Sequence, residues 1–170
     1  MKIVNIIATV NLKKPLDLIQ LHRQIENSEF SLNNRWLKMR LPPNNNYIAF
    51  YKSGKFLVIG KSLTILRKII ESTLNILKNA GVNIEKYDVV IHNIVISDIL
   101  EIKNSIETMM NSLDPKKASY ENEQFPALLY KDWGVSFLLF NNGKLILCGV
   151  KNEKQGKLVL KKFRDLILKL

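Results

Sequence analysis

The chain has 170 residues, of which 46% are hydrophobic, so it can bury a core and general disorder is excluded. The formal net charge of +11 and the pI of about 9.7 indicate a nucleic acid or another anionic surface as partner, unless the lysines are only solvated. Cys148 is the single cysteine, which excludes an internal disulfide, and the sequence shows neither a signal peptide nor a long uncharged apolar run. We therefore expect a chain that is not secreted, spans no membrane and uses no cofactor or metal.

The first half of the chain predicts an antiparallel unit with two helices. Asn33 and Asn34 indicate a turn, Ser53 and Gly54 the tip of a hairpin, Ser62 a helix N-cap and Gly81 the end of that helix. The predicted order is strand, short helix, strand, strand, strand and long helix, over residues 3–12, 16–25, 36–41, 47–51, 56–59 and 62–80.

The second half repeats this order. Residues 91–97 resemble residues 4–10, with Asn93 lying 88 positions after Asn5, and residues 140–149 resemble residues 51–60 with an offset of 89. The predicted elements are a strand, a short helix, three strands and a long helix, over residues 89–97, 102–113, 127–130, 135–140, 145–149 and 153–170. A constant offset indicates one structural unit duplicated in tandem. We place the two repeats at residues 1–82 and 83–170.

This pattern predicts an α+β fold of two half-domains, each a curved antiparallel sheet with a short and a long helix. The helices cover one face of each sheet, and the other face stays open for a ligand. Two like halves make a quasi-two-fold surface, which suits a ligand of similar symmetry such as duplex DNA.

Strand alternation predicts which side chains lie on the open face. They are Asn5, Ile7, Thr9, Leu57 and Ile59 in the first half and Asn93, Val95, Ser97, Ile146 and Cys148 in the second. An apolar face with two asparagines suits the minor groove of A·T-rich DNA, where amides meet acceptors and a guanine amino group would clash. Two alternatives are that another chain buries this face, or that the strand phase is wrong by one residue.

Two segments carry a resemblance to a known family. Residues 3–12, with the sequence IVNIIATVNL, are very similar to the opening strand of the TATA-binding proteins. Residues 120–130, with the sequence YENEQFPALLY, resemble that family's Tyr-Glu-Pro-Glu-Gln-Phe-Pro-Gly-Leu-Tyr stretch, most closely its archaeal members. The resemblance covers both repeats and implies a saddle that sits on the minor groove of a TATA element and bends it.

The resemblance also implies aromatic wedges between base steps at both ends of the site. In the second half they correspond to Phe125 and Phe140, and in the first to Trp36 and Tyr51, with the same spacing of 15 residues. Phe50 is the alternative to Tyr51 if the hairpin is shifted by one residue. For all four aromatics the competing interpretation is a place in the sheet core.

Further positions follow from the same resemblance. The family's central asparagines fall on Asn5 and Asn93, and its neighbouring valines on Ile7 and Val95. Its hairpin valines fall on Leu57 and Ile146. Its base-contacting threonines fall on Ile59 and Cys148, so both hydroxyls are lost, which puts the strength of TATA discrimination in doubt.

The charged rim completes the implied site. Phosphate contacts are expected from Arg40, Lys55, Lys61, Lys131, Lys144 and Lys151, and would make binding steeply salt-dependent. Glu121 and Glu123 match the loop that meets transcription factor B in the family, with ordinary surface carboxylates as the alternative.

The implied function is a general transcription initiation factor that recruits transcription factor B and RNA polymerase, in an archaeal cytoplasm at the nucleoid or in a eukaryotic nucleus. One alternative is a divergent paralogue with relaxed DNA specificity that acts mainly through protein contacts. Another is an enzyme, but Asp17, Asp88, Asp98 and Asp114 share no catalytic pattern, so we expect no catalysed reaction.

Overall fold

The computed structural model describes residues 1–30 and 35–170, and this part of the chain forms ten strands and four helices. The first seven elements are β1 Lys2–Asn11, α1 Leu18–Gln24, β2 Ser28–Phe30, β3 Trp36–Leu41, β4 Asn46–Tyr51, β5 Lys55–Gly60 and α2 Leu63–Asn79. The other seven are β6 Asp88–Ile99, α3 Ile106–Met110, β7 Ala118–Glu121, β8 Phe125–Asp132, β9 Val135–Phe140, β10 Lys144–Val150 and α4 Glu153–Ile167. The predicted turn at Asn33 and Asn34 lies outside the described residues.

The chain divides into two compact units. The first comprises Asn5–His92, and the second comprises Met1–Val4 together with Asn93–Leu170. Strands of the first unit lie in the order β2-β3-β4-β5-β1, and those of the second in the order β6-β10-β9-β8-β7. The pairings within each unit are antiparallel. The predicted α+β class with duplicated antiparallel sheets is confirmed, while the repeat boundary at residue 82 stays a prediction.

Several predicted elements need correction. β2 and β7 were not predicted, because strands of three and four residues carry too little alternation to be recognised. The short helix predicted over residues 102–113 is confined to Ile106–Met110. It starts there because the Ser105 hydroxyl accepts the backbone N–H of Thr108 at 3.3 Å. The long helix predicted to residue 170 ends at Ile167.

The predicted hairpin tip at Gly54 and the corresponding tip at Gly143 close in the same way. Gly54 has a φ of +82° and Gly143 one of +77°, a region that favours glycine. A Cβ on Gly54 would lie 1.6 Å from the carbonyl oxygen of Lys14, and one on Gly143 would lie 2.1 Å from that of Leu100. Each tip therefore needs glycine both for its backbone conformation and for the close approach of a second backbone segment.

Both long helices begin at side-chain caps and bury one stripe. Ser62 accepts the backbone N–H of Ile65 at 3.2 Å, and Asn152 accepts that of Gln155 at 2.9 Å. α4 packs closely on its sheet, with the ring of Phe163 stacked 4.2 Å from that of Phe137. The helices thus cover one face of the sheet in each unit and leave the opposite face accessible.

Candidate nucleic-acid interface

Alternation along the strands defines the accessible face, which we call the open face. In β1, Ile6, Ala8 and Val10 are fully buried, whereas Asn5 and Ile7 are partly exposed. The same alternation holds in the rest of β1 and in β5, β6 and β10 for the other predicted groove residues, which are Thr9, Leu57, Ile59, Asn93, Val95, Ser97, Ile146 and Cys148. The predicted strand phase is therefore correct.

In the first unit, the predicted groove residues lie opposite one another across β1 and β5. Ile7 pairs with Ile59, and Thr9 pairs with Leu57. The Thr9 hydroxyl also forms a 2.8 Å hydrogen bond with Nε2 of His92. This part of the open face is thus mainly aliphatic, and its one hydroxyl is held by a histidine that the sequence analysis did not connect with it.

In the second unit, an amide is held against a bulge in β10. Ile146 pairs with Ser97 in regular register, but the register shifts between Leu147 and Val150. Within the bulge, the backbone N–H of Gly149 donates to Oδ1 of Asn93 at 2.8 Å. Since an N–H can be accepted only by the amide oxygen, this bond fixes the side-chain orientation, and the Nδ2 donors are the polar group left for a ligand.

Cys148 lies on the same open face, and its thiol is partly buried. Burial raises the pKa of this thiol above its ordinary value. The thiol is therefore protonated at neutral pH and places no negative charge on a face that would have to approach a polyanion.

The two predicted second-half wedges lie side by side on the open face. The side chain of Phe125 is 47% exposed, which is unusual for phenylalanine. Its ring centroid lies 6.1 Å from that of Phe140, and the two rings meet edge to face at 63°. The structure thus presents an aromatic pair at the start of β8 and the end of β9.

In the first unit, Tyr51 and Phe50, the alternative wedge residue, differ in burial. Tyr51 is 36% exposed, whereas Phe50 is fully buried with its ring 5.7 Å from that of Phe56. Phe50 therefore belongs to the core. Trp36 lies directly opposite Tyr51 across β3 and β4 and is partly exposed.

Strand register shows that Trp36 and Phe125 do not occupy equivalent positions. Trp36 pairs with Tyr51, but the residue that pairs with Phe140 is Ala127. The connection between β3 and β4 has four residues, 42–45, and that between β8 and β9 has two, 133–134, which makes the spacing of 15 residues coincidental. The register position equivalent to that of Phe125 falls outside the described residues.

The predicted phosphate contacts are exposed cations. Arg40 and Lys131 occupy equivalent places on β3 and β8, paired with Tyr47 and Ser136. The guanidinium of Arg40 lies 5.3 Å from the ring centroid of Tyr47. The other four predicted phosphate contacts are also exposed. Lys55 and Lys144 begin the second strand of each hairpin, and Lys61 and Lys151 come just after that strand. The rim of each open face is thus positively charged.

Two acidic residues lie beside the exposed aromatic pair. Glu121 ends β7 and pairs with Phe125, and Glu123 lies in the turn between β7 and β8. Both side chains are exposed. They form a small negative surface at one edge of a chain with a net charge of +11.

Other open-face residues were missed by the sequence analysis. Lys38 pairs with Ala49 in the first unit, and Leu129 pairs with Leu138 in the second. Alternation along β3, β4, β8 and β9 was the signal that could have found them, since each lies two residues from a predicted position.

Comparison with known proteins agrees with this geometry. The family model for transcription factor TFIID (or TATA-binding protein, TBP) matches residues 1–80 and 88–170. The TATA-box-binding protein of Sulfurisphaera tokodaii is 34% identical over 173 residues, covering 99% of this chain and 86% of that protein. The TATA-box-binding protein of Methanocaldococcus jannaschii is 32% identical over 171 residues, covering 98% and 92%.

A solved structure shares the fold. The chain matches Methanococcus jannaschii TBP with a TM-score of 0.89 at 30% sequence identity, covering 99% of this chain and 98% of that one. Duplicated antiparallel sheets with an open apolar face define a class of transcription factors built from an internal repeat. This chain belongs to the TATA-binding protein family. Among the described residues, no helix combines the length and apolar character needed to cross a lipid bilayer.

Proposed function

We propose that this protein is a general transcription initiation factor that binds AT-rich promoter DNA through the minor groove and bends it. The observation that carries the proposal is the apolar open face with the Asn93 amide fixed as a donor. The minor-groove edges of A·T pairs present acceptors only, whereas a G·C pair adds an amino group that would meet aliphatic side chains. Membership of the TATA-binding protein family indicates a TATA element as the DNA site.

Phe125 and Phe140 support the bending part of the proposal. Their rings lie on the open face instead of the core, so they can enter a base step without unfolding the sheet. Insertion of apolar side chains unstacks a step and kinks the duplex toward the major groove. We propose the same role for Tyr51 in the first unit, with Trp36 beside it across β3 and β4.

Recruitment of transcription factor B, and through it RNA polymerase, is the second part of the proposal. Glu121 and Glu123 are exposed at the edge of the β7–β8 hairpin and form an acidic surface for a basic partner. We propose an archaeal cytoplasm, at the chromosome, as the place of action, and no catalysed reaction. Replacing both glutamates with lysine should leave DNA binding intact and weaken the ternary complex, and an unchanged ternary complex would refute the docking role.

DNA bending by fluorescence energy transfer tests the first part. The probes are an end-labelled TATA duplex, the same duplex with A·T pairs replaced by inosine·cytosine, and a G·C-rich duplex. Inosine lacks the guanine amino group, so it keeps the minor-groove pattern of A·T while changing the major groove. We expect a bend with the first two duplexes and none with the third.

The alternative function is a divergent family member with relaxed DNA specificity that acts mainly through protein contacts. Ile59 and Cys148 favour it, because neither offers the hydroxyl expected at these positions. Equal, unbent and salt-labile binding to all three duplexes would select this alternative. A bend that requires the A·T minor-groove pattern would exclude it.

A further inference from the structure

The two halves of the chain differ in charge at one position on the open face of β3 and β8. Strand register makes Lys38 on β3 the counterpart of Leu129 on β8, since Lys38 pairs with Ala49 and Leu129 with Leu138. An apolar pair in the second unit is thus replaced by a cation and a small residue in the first. Neither the family resemblance nor the predicted phosphate contacts included Lys38.

The Lys38 side chain is held along the open face. Its Nζ lies 4.0 Å from the centroid of the Trp36 ring, and the side chain is partly buried. A lysine that is only solvated would extend its ammonium group away from the sheet, whereas here the Trp36 ring holds that group by a cation–π contact. Ala49 opposite is only 2% exposed, so neighbouring side chains cover it, whereas Leu138 at the equivalent place in the second unit is partly exposed.

Within the described part of the chain, no ion pair joins Lys38 to an acidic residue, although Glu29 is its partner across β2 and β3. Arg40, two residues along the strand, adds a positive charge on the same face, as its counterpart Lys131 does in the second unit. Lys38 is therefore a cation of the first unit at a position that is apolar in the second.

We propose that Lys38 is a DNA-contacting residue inside the apolar face and makes the first half bind DNA more electrostatically than the second. The proposal rests on the proposed function. Proteins that bind the minor groove use lysine and arginine side chains there, and the flanking phosphates supply a negative potential that attracts such cations. Because Trp36 already holds the Lys38 ammonium group on the open face, that side chain does not have to be ordered before it contacts DNA.

The salt dependence of binding to the TATA duplex tests the proposal. Each neutralised phosphate charge contributes about 0.9 to the slope of log K against log salt concentration. Lys38→Leu installs the residue of the second unit, and Lys38→Gln removes the charge but keeps a long polar side chain. Both should lower the slope by about 0.9, while Leu129→Lys should raise it by a similar amount.

Lys68→Leu is the matched control, because Lys68 is an exposed lysine on α2 and the change is the same. Its slope should equal that of the unaltered protein, and circular dichroism should show that all variants are folded. Equal slopes for the unaltered protein, Lys38→Leu and Lys38→Gln would overturn the proposal for Lys38 alone. If the unaltered protein does not prefer or bend the TATA duplex, the proposed function fails, and the inference fails with it.

Discussion

The side-chain oxygen of Asn93 accepts a 2.8 Å hydrogen bond from the backbone N–H of Gly149, inside the bulge of β10. Gly149 has a φ of +92°, so the bulge uses a conformation that suits glycine. In the first unit, Gly60 pairs with Ile6 in regular register. The surroundings of the two central asparagines thus differ. In the second unit, the hydrogen bond from Gly149 fixes the orientation of the Asn93 side-chain amide.

Asn93→Asp should weaken binding to the TATA duplex by roughly 1–3 kcal/mol, or about five- to 150-fold. The carboxylate can still accept the Gly149 N–H, so stability should change little, but both donors are lost and a negative charge faces the DNA. Fluorescence anisotropy measures the affinity. Asn75→Asp is the control, since it makes the same charge change at an exposed position of α2 and should bind almost normally. Similar affinities for the two variants would show that Asn93 does not donate to DNA.

Phe125→Ala should remove most of the DNA bend and leave the fold intact. The ring is 47% exposed and contacts Phe140 at its edge, so its loss should cost no more than about 1.5 kcal/mol of folding free energy. Energy transfer across an end-labelled TATA duplex reports the bend. Leu158→Ala, on an exposed part of α4, should bend DNA normally. A normal bend by folded Phe125→Ala protein would refute the wedge assignment.

Substitutions at Phe50 and Tyr51 should affect different properties, namely the free energy of unfolding and DNA bending. Phe50→Ala removes a fully buried ring and should lower the free energy of unfolding by about 3–5 kcal/mol. Tyr51→Ala should cost far less stability and should reduce the DNA bend instead. Urea unfolding and energy transfer provide the two readouts. If Tyr51→Ala were the more destabilising change, the assignment of these residues to the two faces of β4 would be wrong.

Gly54→Ala should destabilise the protein more than Gly81→Ala. Their φ angles, +82° and +84°, are nearly equal, so an alanine at either position should cost about 1–2 kcal/mol for its left-handed backbone conformation. Only at Gly54 would the new Cβ collide with a backbone oxygen, since nothing lies within 4 Å of it at Gly81. Urea unfolding measures the difference, and equal losses would mean that the approach of Lys14 to the hairpin tip is not required.

Asp132 should make part of the free energy of unfolding depend on pH in the acidic range. A hydrogen bond from Lys117 at 2.9 Å, aided by one from the backbone N–H of Trp133 at 2.7 Å, holds the pKa of this carboxyl below its ordinary value despite the opposing effect of burial. A lowered pKa in the folded state stabilises the protein above the unfolded value near ~3.9, and this is lost as pH falls through the folded value.

Asp132→Asn should therefore lose less stability than the unaltered protein as the pH is lowered below about 4. The urea midpoint measured as a function of pH shows this. Asp165→Asn on α4 controls for the change in net charge, and among the described residues Asp165 forms no ion pair. Parallel pH profiles for the two variants would show that the contacts of Asp132 do not hold its pKa down.

Much of the fold and open face was predictable because local signals determined it. The alternation of β1 gave its buried and exposed residues, Ser62 gave the start of α2, and Gly54 gave the tip of a hairpin. Each of these depends on a side-chain period or on the backbone preference of one residue, and neighbours in sequence carry that information. The duplication was visible because the two halves kept the same order of elements.

Tertiary structure decided what depends on pairing between distant segments. The spacing of 15 residues made Trp36 look equivalent to Phe125, but connections of different length shift β3 and β8 relative to their partners. The contact of Asn93 with Gly149 spans 56 residues and needs the bulge of β10. The chain determines the period of each strand locally, whereas register is set only when two strands meet and their side chains pack.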